Sequence, residues 1–351
     1  MRERKLWRWL PFLPILALVE VFLVLYILNA NQPETVVGEF VLPSRRSGRP
    51  IQALYRVEAI ALRDGWSTDL LRLAGDLWRE SGDITRALPY WRAAAQGGHD
   101  VILLRDIAQA SIDIQDWASA NDALDHLASL APNDPWVNLQ LGLIQAAVSP
   151  NSAIEHLTIA GNEPAYVPLT DELIEILRNS SDDPAFGLRV GSVMAGYDLW
   201  AFAELAFTHA ASIQPIPEAL AYVGFARDMQ GKDGGAWIED AVALAPDNPT
   251  ARLLQGLHLR QIDDYEGSLE ALITAVALDP QNPVMYAELG TAYQLAGDLS
   301  TARYWLEQAV ALSGNDPRFK QMLDTLTAEE DRLLQLLEPI VTEQPDAEPL
   351  P

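Results

Sequence analysis

The chain of 351 residues has no cysteine. That excludes disulfides, thiolate zinc sites, iron–sulfur ligation and a cysteine nucleophile, and it is compatible with either redox compartment. Histidine is scarce. The five present, His99, His126, His156, His209 and His258, include no pair at the H-x-x-x-H spacing that sets two metal ligands on one helix face. Surface or groove positions are expected for all of them. There is no Walker loop, no G-x-G-x-x-G and no G-x-S-x-G. The paired carboxylates Asp182-Asp183 and Asp263-Asp264 fall at helix junctions, where turn and N-cap roles are expected rather than acid–base chemistry. The chain therefore reads as a non-enzyme without cofactor or metal. Basic residues are also few, 24 Lys/Arg against 49 Asp/Glu, for a net charge of -25. The deficit is uneven: residues 1–50 hold seven basic and four acidic residues, the rest 17 and 45. So acidic a body repels phosphate backbones, and nucleic acid is not an expected partner.

One long apolar run is present, Leu10 to Leu28, whose only charge is Glu20. Nineteen helical residues at about 1.5 Å each span the hydrocarbon core of a bilayer. Arg2, Arg4, Lys5 and Arg8 precede the run, and Trp7, Trp9 and Tyr26 stand where interfacial aromatics belong. A cleaved signal peptide is the rival reading, but Leu28 before Ala30 fits a small-x-small cleavage site poorly. The expectation is a single-pass anchor in the cytoplasmic (plasma) membrane, basic N-terminus in the cytoplasm and the body outside it. Glu20 is a candidate contact for a partner's membrane helix, or a protonated residue tolerated by its apolar surroundings.

Beyond the anchor the chain is punctuated. "SLAPNDP" ends at Pro135, "ALAPDNP" at Pro249, "ALDPQNP" at Pro283 and "ALSGNDP" at Pro317. The last three prolines are 34 residues apart, the period of a helical repeat array. In the final unit Tyr286, Leu289, Gly290 and Tyr293 share one helical face, Gly297-Asp298 break the helix, and Ala302, Leu306, Ala309 and Leu312 line a second. Small Gly290 and Ala302 admit close helix approach, while Tyr293 and Leu306 fill the space around them. Earlier units repeat the pattern through Ala74-Gly75, Trp78, Ala87 and Trp91, through Ala108, Ala120 and Leu124, and through Gly256, Ser268 and Leu272.

This pattern resembles the tetratricopeptide (TPR) repeat family, over roughly residues 68–316. The resemblance implies an all-α fold, a TPR-like α-solenoid in which helix pairs form a right-handed superhelix behind a single N-terminal transmembrane helix. The expected organisation is a basic N-terminus and anchor over 1–30, a linker over 31–50, and a front cap helix with three repeats over 51–167. An inserted helix comes next, over 168–183, because Pro135 to Pro249 is 114 residues and not a multiple of 34. Four repeats then occupy 184–316, the unit at 218–248 having a second helix about two residues short. Capping helices fill 317–338, with a capping box at Thr327-Ala328-Glu329-Glu330, and 339–351 form an acidic, Pro-rich, disordered tail.

The family presents a concave groove built mainly from the first helix of each repeat. The positions it implies here are Arg72, Arg79, Arg105, Gln109 and Trp136 toward the front, and Leu253, Leu257, Arg260, Thr291 and Gln294 toward the back. The front arginines read either as a patch for a partner's carboxylate or as members of local Asp–Arg pairs. Carboxylate-clamp members need Lys and Asn where this chain has Arg72 and Asp76, so that specificity is not implied. The expected function is a membrane-anchored scaffold that binds protein segments in its groove to assemble or regulate an envelope complex. The alternative is an accessory structural subunit of a polysaccharide export or glycosyltransferase complex, acting through Glu20 and the convex face.

Overall fold

The computed structural model describes residues 41–46, 48–96, 98–179 and 185–342. The anchor reading over 10–28, Glu20, Asp182-Asp183 and the tail beyond 342 lie outside the described residues. Among the described residues no helix is long and apolar enough to cross a membrane.

Every described element is an α-helix. In chain order they are α1 (Leu42–Arg46), α2 (Pro50–Asp64), α3 (Thr68–Glu80), α4 (Ile84–Ala95), α5 (Val101–Asp113), α6 (Trp117–Leu130), α7 (Pro135–Val148), α8 (Pro150–Ala160) and α9 (Val167–Arg178). Then come α10 (Phe186–Gly196), α11 (Trp200–Ile213), α12 (Pro217–Asp228), α13 (Gly235–Leu244), α14 (Pro249–Gln261), α15 (Tyr265–Leu278), α16 (Pro283–Leu295), α17 (Leu299–Leu312) and α18 (Pro317–Thr342). The chain forms two compact units, the first ending at Val137 and the second beginning at Asn138, inside α7.

The recurring stops are helix starts. Pro249 and Pro283 occupy the first turn of α14 and α16, where a missing N–H costs nothing. The residue before each is the cap: the Asn248 side chain accepts from the Ala251 N–H at 2.9 Å, and Asn282 from the Val284 N–H at 3.1 Å. Several second helices are capped by aspartate instead, Asp83 on the Arg86 N–H at 3.0 Å, Asp264 on Gly267 at 3.0 Å and Asp298 on Thr301 at 3.1 Å. Asp263-Asp264 thus serve a turn and a cap. Gly82 (φ 88°) and Gly297 (φ 84°) take the left-handed conformation that reverses the chain between paired helices.

Six pairs are closed by a glycine on the first helix under a bulky side chain on the second, while the α5/α6 pair carries the buried Ala108 instead. A Cβ at Gly142 would lie 2.7 Å from Leu157, at Gly224 2.5 Å from Ile238, at Gly256 2.6 Å from Leu272 and at Gly290 2.9 Å from Leu306. Gly75 under Trp91 and Gly191 under Phe207 are tighter still. Trp91, Phe207, Leu157 and Leu272 are fully buried. These contacts set the interhelical distance, and no side chain larger than hydrogen fits them without a shift. The described residues are all-α, in helix pairs of the tetratricopeptide type.

Four local readings need correction. Residues 41–46 are not linker: Val41 is fully buried with Leu54, Val57 and Leu77, α1 comes directly after it, and Arg45 Nε donates to Glu80 at 2.7 Å. The 218–248 unit is shortened by more than two residues, since α13 has 10 residues where α15 and α17 have 14. Thr327 starts no helix. It lies inside the continuous α18, and its hydroxyl donates to the Leu323 carbonyl at 2.9 Å, the back-bond of a mid-helix threonine. α18 also runs on to Thr342, four residues into the expected tail. The helix within the break in period, α9, packs on α8 and α10 through buried Leu169, Leu173, Ile174 and Leu177. Ile176 on the same helix is only half-buried.

Candidate functional site

The first helices are the positioning elements. In the second unit α12, α14, α16 and α18 pack successively against one another. In the first unit α3 and α5 are joined by side chains.

The front arginines all reach forward to a carboxylate one repeat on. Arg72 on α3 pairs with Asp100, the cap of α5. Arg79 Nη1 donates to Asp106 at 3.0 Å, and Arg105 on α5 to Asp134 at 2.5 Å. Arg105 also lies 4.7 Å over the Trp136 ring, which is half-buried. The arginines are engaged in Asp–Arg pairs, and Trp136 has a guanidinium on one face rather than standing open as an anchor. Asp100 accepts from the backbone N–H groups of Leu103 and Ile102, and with Arg72 beside it these bonds hold its carboxyl below the usual carboxylate range. Gln109 donates to Asp113 at 2.8 Å along its own helix.

The back set repeats the device. Arg260 on α14 donates to Glu288 on α16 at 2.9 Å, and Gln294 on α16 to Glu329 on α18 at 2.6 Å. Thr291 returns its hydroxyl to the Ala287 carbonyl at 3.0 Å. Leu253 and Leu257 are half-buried against hydrophobic clusters, so each is partly core. The front five residues belong to the first unit, the back five to the second. These half-exposed pairs contribute about 0–1 kcal/mol apiece. Their larger effect is to fix side-chain positions on neighbouring first helices. A sequence signal existed: Arg72 to Asp100 and Arg260 to Glu288 are both 28 residues apart, one period less six.

Sequence reasoning missed a buried polar node in the second unit. Asp228, at the end of α12, is 5% exposed. One oxygen accepts from the Gly234 N–H at 2.8 Å, and the other meets His258 Nδ1 on α14 at 2.9 Å. Its backbone carbonyl accepts from Gln261 at 3.0 Å. A Cβ at Gly235 would lie 2.7 Å from His258 Nε2, so the Gly234-Gly235 step admits the imidazole and starts α13 late. His258 is thus a partly buried residue tied into this node. Beside it Glu204, 8% exposed, gathers Arg227 at 3.0 Å, Gln230 at 2.8 Å and Lys232 at 3.2 Å. Satisfied on every side, such a node orders the crossing of three helices.

A cleft of about 480 Å³ lies between α8 and α9 and is lined by Thr170, Asp171, Glu175 and Arg178 among others. Thr170 gives its hydroxyl to Tyr166, and no nucleophile–base pair converges there. No group of His, Asp and Glu among the described residues could hold a metal ion.

No protein-family model matches the chain, and no curated protein matches it. Solved structures align with it at a distance. A tetratricopeptide repeat protein from Parabacteroides merdae does so at 12% identity over 84% of this chain and 98% of its own, with a TM-score of 0.36. YrrB, described as a TPR protein with an unusual peptide-binding site, aligns at 14% identity over 57% and 96%, TM-score 0.34. A monomeric mutant of IFIT1 with m7Gppp-AAAA aligns at 15% identity over 76% and 66%, TM-score 0.41. Likenesses this remote carry nothing about ligand or partner. The repeat fold rests on the glycine-closed pairs of this chain.

Proposed function

We propose that the protein is a scaffold that binds protein segments along its first helices and is held at the cytoplasmic membrane by residues 10–28, its helical body outside the cytoplasm, to assemble or regulate an envelope complex. The observation that carries the reading is the side-chain stapling of successive first helices. Arg72–Asp100, Arg105–Asp134 and Arg260–Glu288 hold polar groups in place on a packed helical surface. Such a surface loses little side-chain entropy when a segment binds it. The arginines are already paired, so a partner meets a surface of mixed sign rather than a bare carboxylate receptor. The chemistry is reversible recognition, without covalent change.

The test is crosslinking in native membranes with identification of what is captured, for the wild type, for Arg72→Ala/Arg105→Ala/Trp136→Ala, and for Glu20→Leu. Loss of capture in the triple variant, with Glu20→Leu still capturing, supports recognition along the first helices. Capture that survives the triple change but vanishes with Glu20→Leu overturns it and favours an accessory subunit of a polysaccharide export or glycosyltransferase complex, working through its membrane helix.

A further inference from the structure

The front cap helix α2 has two apolar faces. Ala53, Leu54, Val57, Ile60 and Ala61 are buried against α3 and Val41. On the outer side Ile51, Tyr55 and Leu62 recur at helical spacing and are 38%, 67% and 88% exposed. Trp66, just past the helix end, is 42% exposed and leans on Tyr90 at 5.2 Å between ring centroids. A cap for a repeat array needs only its inner face apolar and is soluble with a polar outer one. The outer stripe therefore has another use.

Charge indicates what covers it. Residues 41–67 hold five arginines against two acids, Glu58 and Asp64, in a chain of net charge -25. Arg45 is taken by Glu80 and Asp76, and Arg63 by Asp64. Arg46 and Arg49 are exposed, and so is Arg56, which has an interaction of its own within the chain. Arg56 and Arg63 each follow a stripe residue by one position, which sets them along one flank of the stripe. Glu58, on the other flank, accepts from the Tyr90 hydroxyl at 3.4 Å. An apolar stripe with Leu, Tyr and Trp beside a cationic flank is the make-up of a helix that lies in a membrane interface. Pairing α2 antiparallel with a second copy about a two-fold axis midway between them would set Arg56 of one copy against Arg63 of the other.

We propose that α2 docks flat on an anionic lipid surface. Ile51, Tyr55, Leu62 and Trp66 enter the boundary between headgroups and acyl chains, while Arg46, Arg49 and Arg56 meet lipid phosphates. This contact concerns a different surface from the first-helix recognition above and does not depend on it. It would set the front of the array against the bilayer instead of leaving it to swing on a tether.

The absence of cysteine allows a direct test on the full chain. Leu62→Cys is labelled with an environment-sensitive fluorophore, with Gln321→Cys, exposed on α18, as the control. Each is reconstituted into vesicles of phosphatidylcholine alone or with equal parts phosphatidylglycerol, both doped with spin-labelled lipid. The expected result is lipid quenching at position 62 and not at 321, stronger in the anionic vesicles. Arg49→Gln and Arg56→Gln each lower the docked-to-undocked ratio about fivefold. No quenching at 62 in either vesicle overturns the proposal. So does a blue-shifted label that lipid does not quench, since protein then covers the stripe: a second copy if the shift grows with protein density in the vesicle, the chain's own preceding residues if it does not.

Discussion

If glycine sets the distance between paired helices, adding one carbon at Gly256 should cost stability in a way that depends on the residue opposite. A Cβ there lies 2.6 Å from Leu272 Cγ, 2.9 Å from its Cδ2 and 3.2 Å from the Ser268 carbonyl oxygen. Leu272 is fully buried, and the Ser268 hydroxyl donates to the Gly256 carbonyl at 2.8 Å, so neither neighbour moves freely. Overpacking of this kind costs about 1–3 kcal/mol. Alanine recovers about 1 kcal/mol of helix propensity over glycine. The net expectation for Gly256→Ala is a loss of about 0–2 kcal/mol. Leu272→Ala alone leaves a cavity and costs about 2–5 kcal/mol. In that background the branched carbons are gone, and Gly256→Ala should become neutral or stabilising by up to about 1 kcal/mol. The four proteins of this cycle, unfolded in urea and followed by far-UV circular dichroism, should give a coupling of about 1–3 kcal/mol. Additive losses, with a coupling below about 0.5 kcal/mol, would refute the claim that this glycine exists to seat Leu272.

Two further predictions concern charge. Asp100 is held below its ordinary range chiefly by the Leu103 N–H, and Asp116 by Ser119, with Arg72 and Arg92 adding to it. A depressed folded-state value stabilises above the unfolded value of about 4 and is lost as pH falls through the folded one. The urea midpoint should therefore drop as pH falls from about 5 to about 3. Asp100→Asn/Asp116→Asn, which keeps an acceptor at both caps, should flatten that drop; an unchanged pH profile would count against the assignment. His258→Ala strands a carboxylate oxygen of Asp228, whose side chain is 3% exposed, and should cost about 3 kcal/mol by denaturant titration. Asp228→Asn in the same background should recover part of the loss, because a neutral amide is cheaper to leave unpaired. No recovery would mean that His258 acts by packing alone.

The repeat fold could be read from the sequence because its determinants are local and periodic. The proline stops, the Asn and Asp caps and the glycine opposite a bulky residue recur at fixed offsets, and each acts within one helix pair. Errors arose where a local pattern met a context it does not contain. Thr327-Ala328-Glu329-Glu330 has the letters of a capping box, but α18 was already formed before it, and an established helix uses a threonine for a back-bond. Residues 41–46 look like linker until Val41 finds the inner face of α2. The groove positions show the limit most plainly. The family resemblance turned Arg72, Arg79 and Arg105 toward the groove and left two fates open. Only the tertiary fold brought Asp100, Asp106 and Asp134 to them. The Asp228–His258 node joins residues 30 apart. No local propensity records a contact made by two helices packed side by side, so what the sequence determined by itself was the helix pair, and what tertiary structure decided was which polar groups are already occupied.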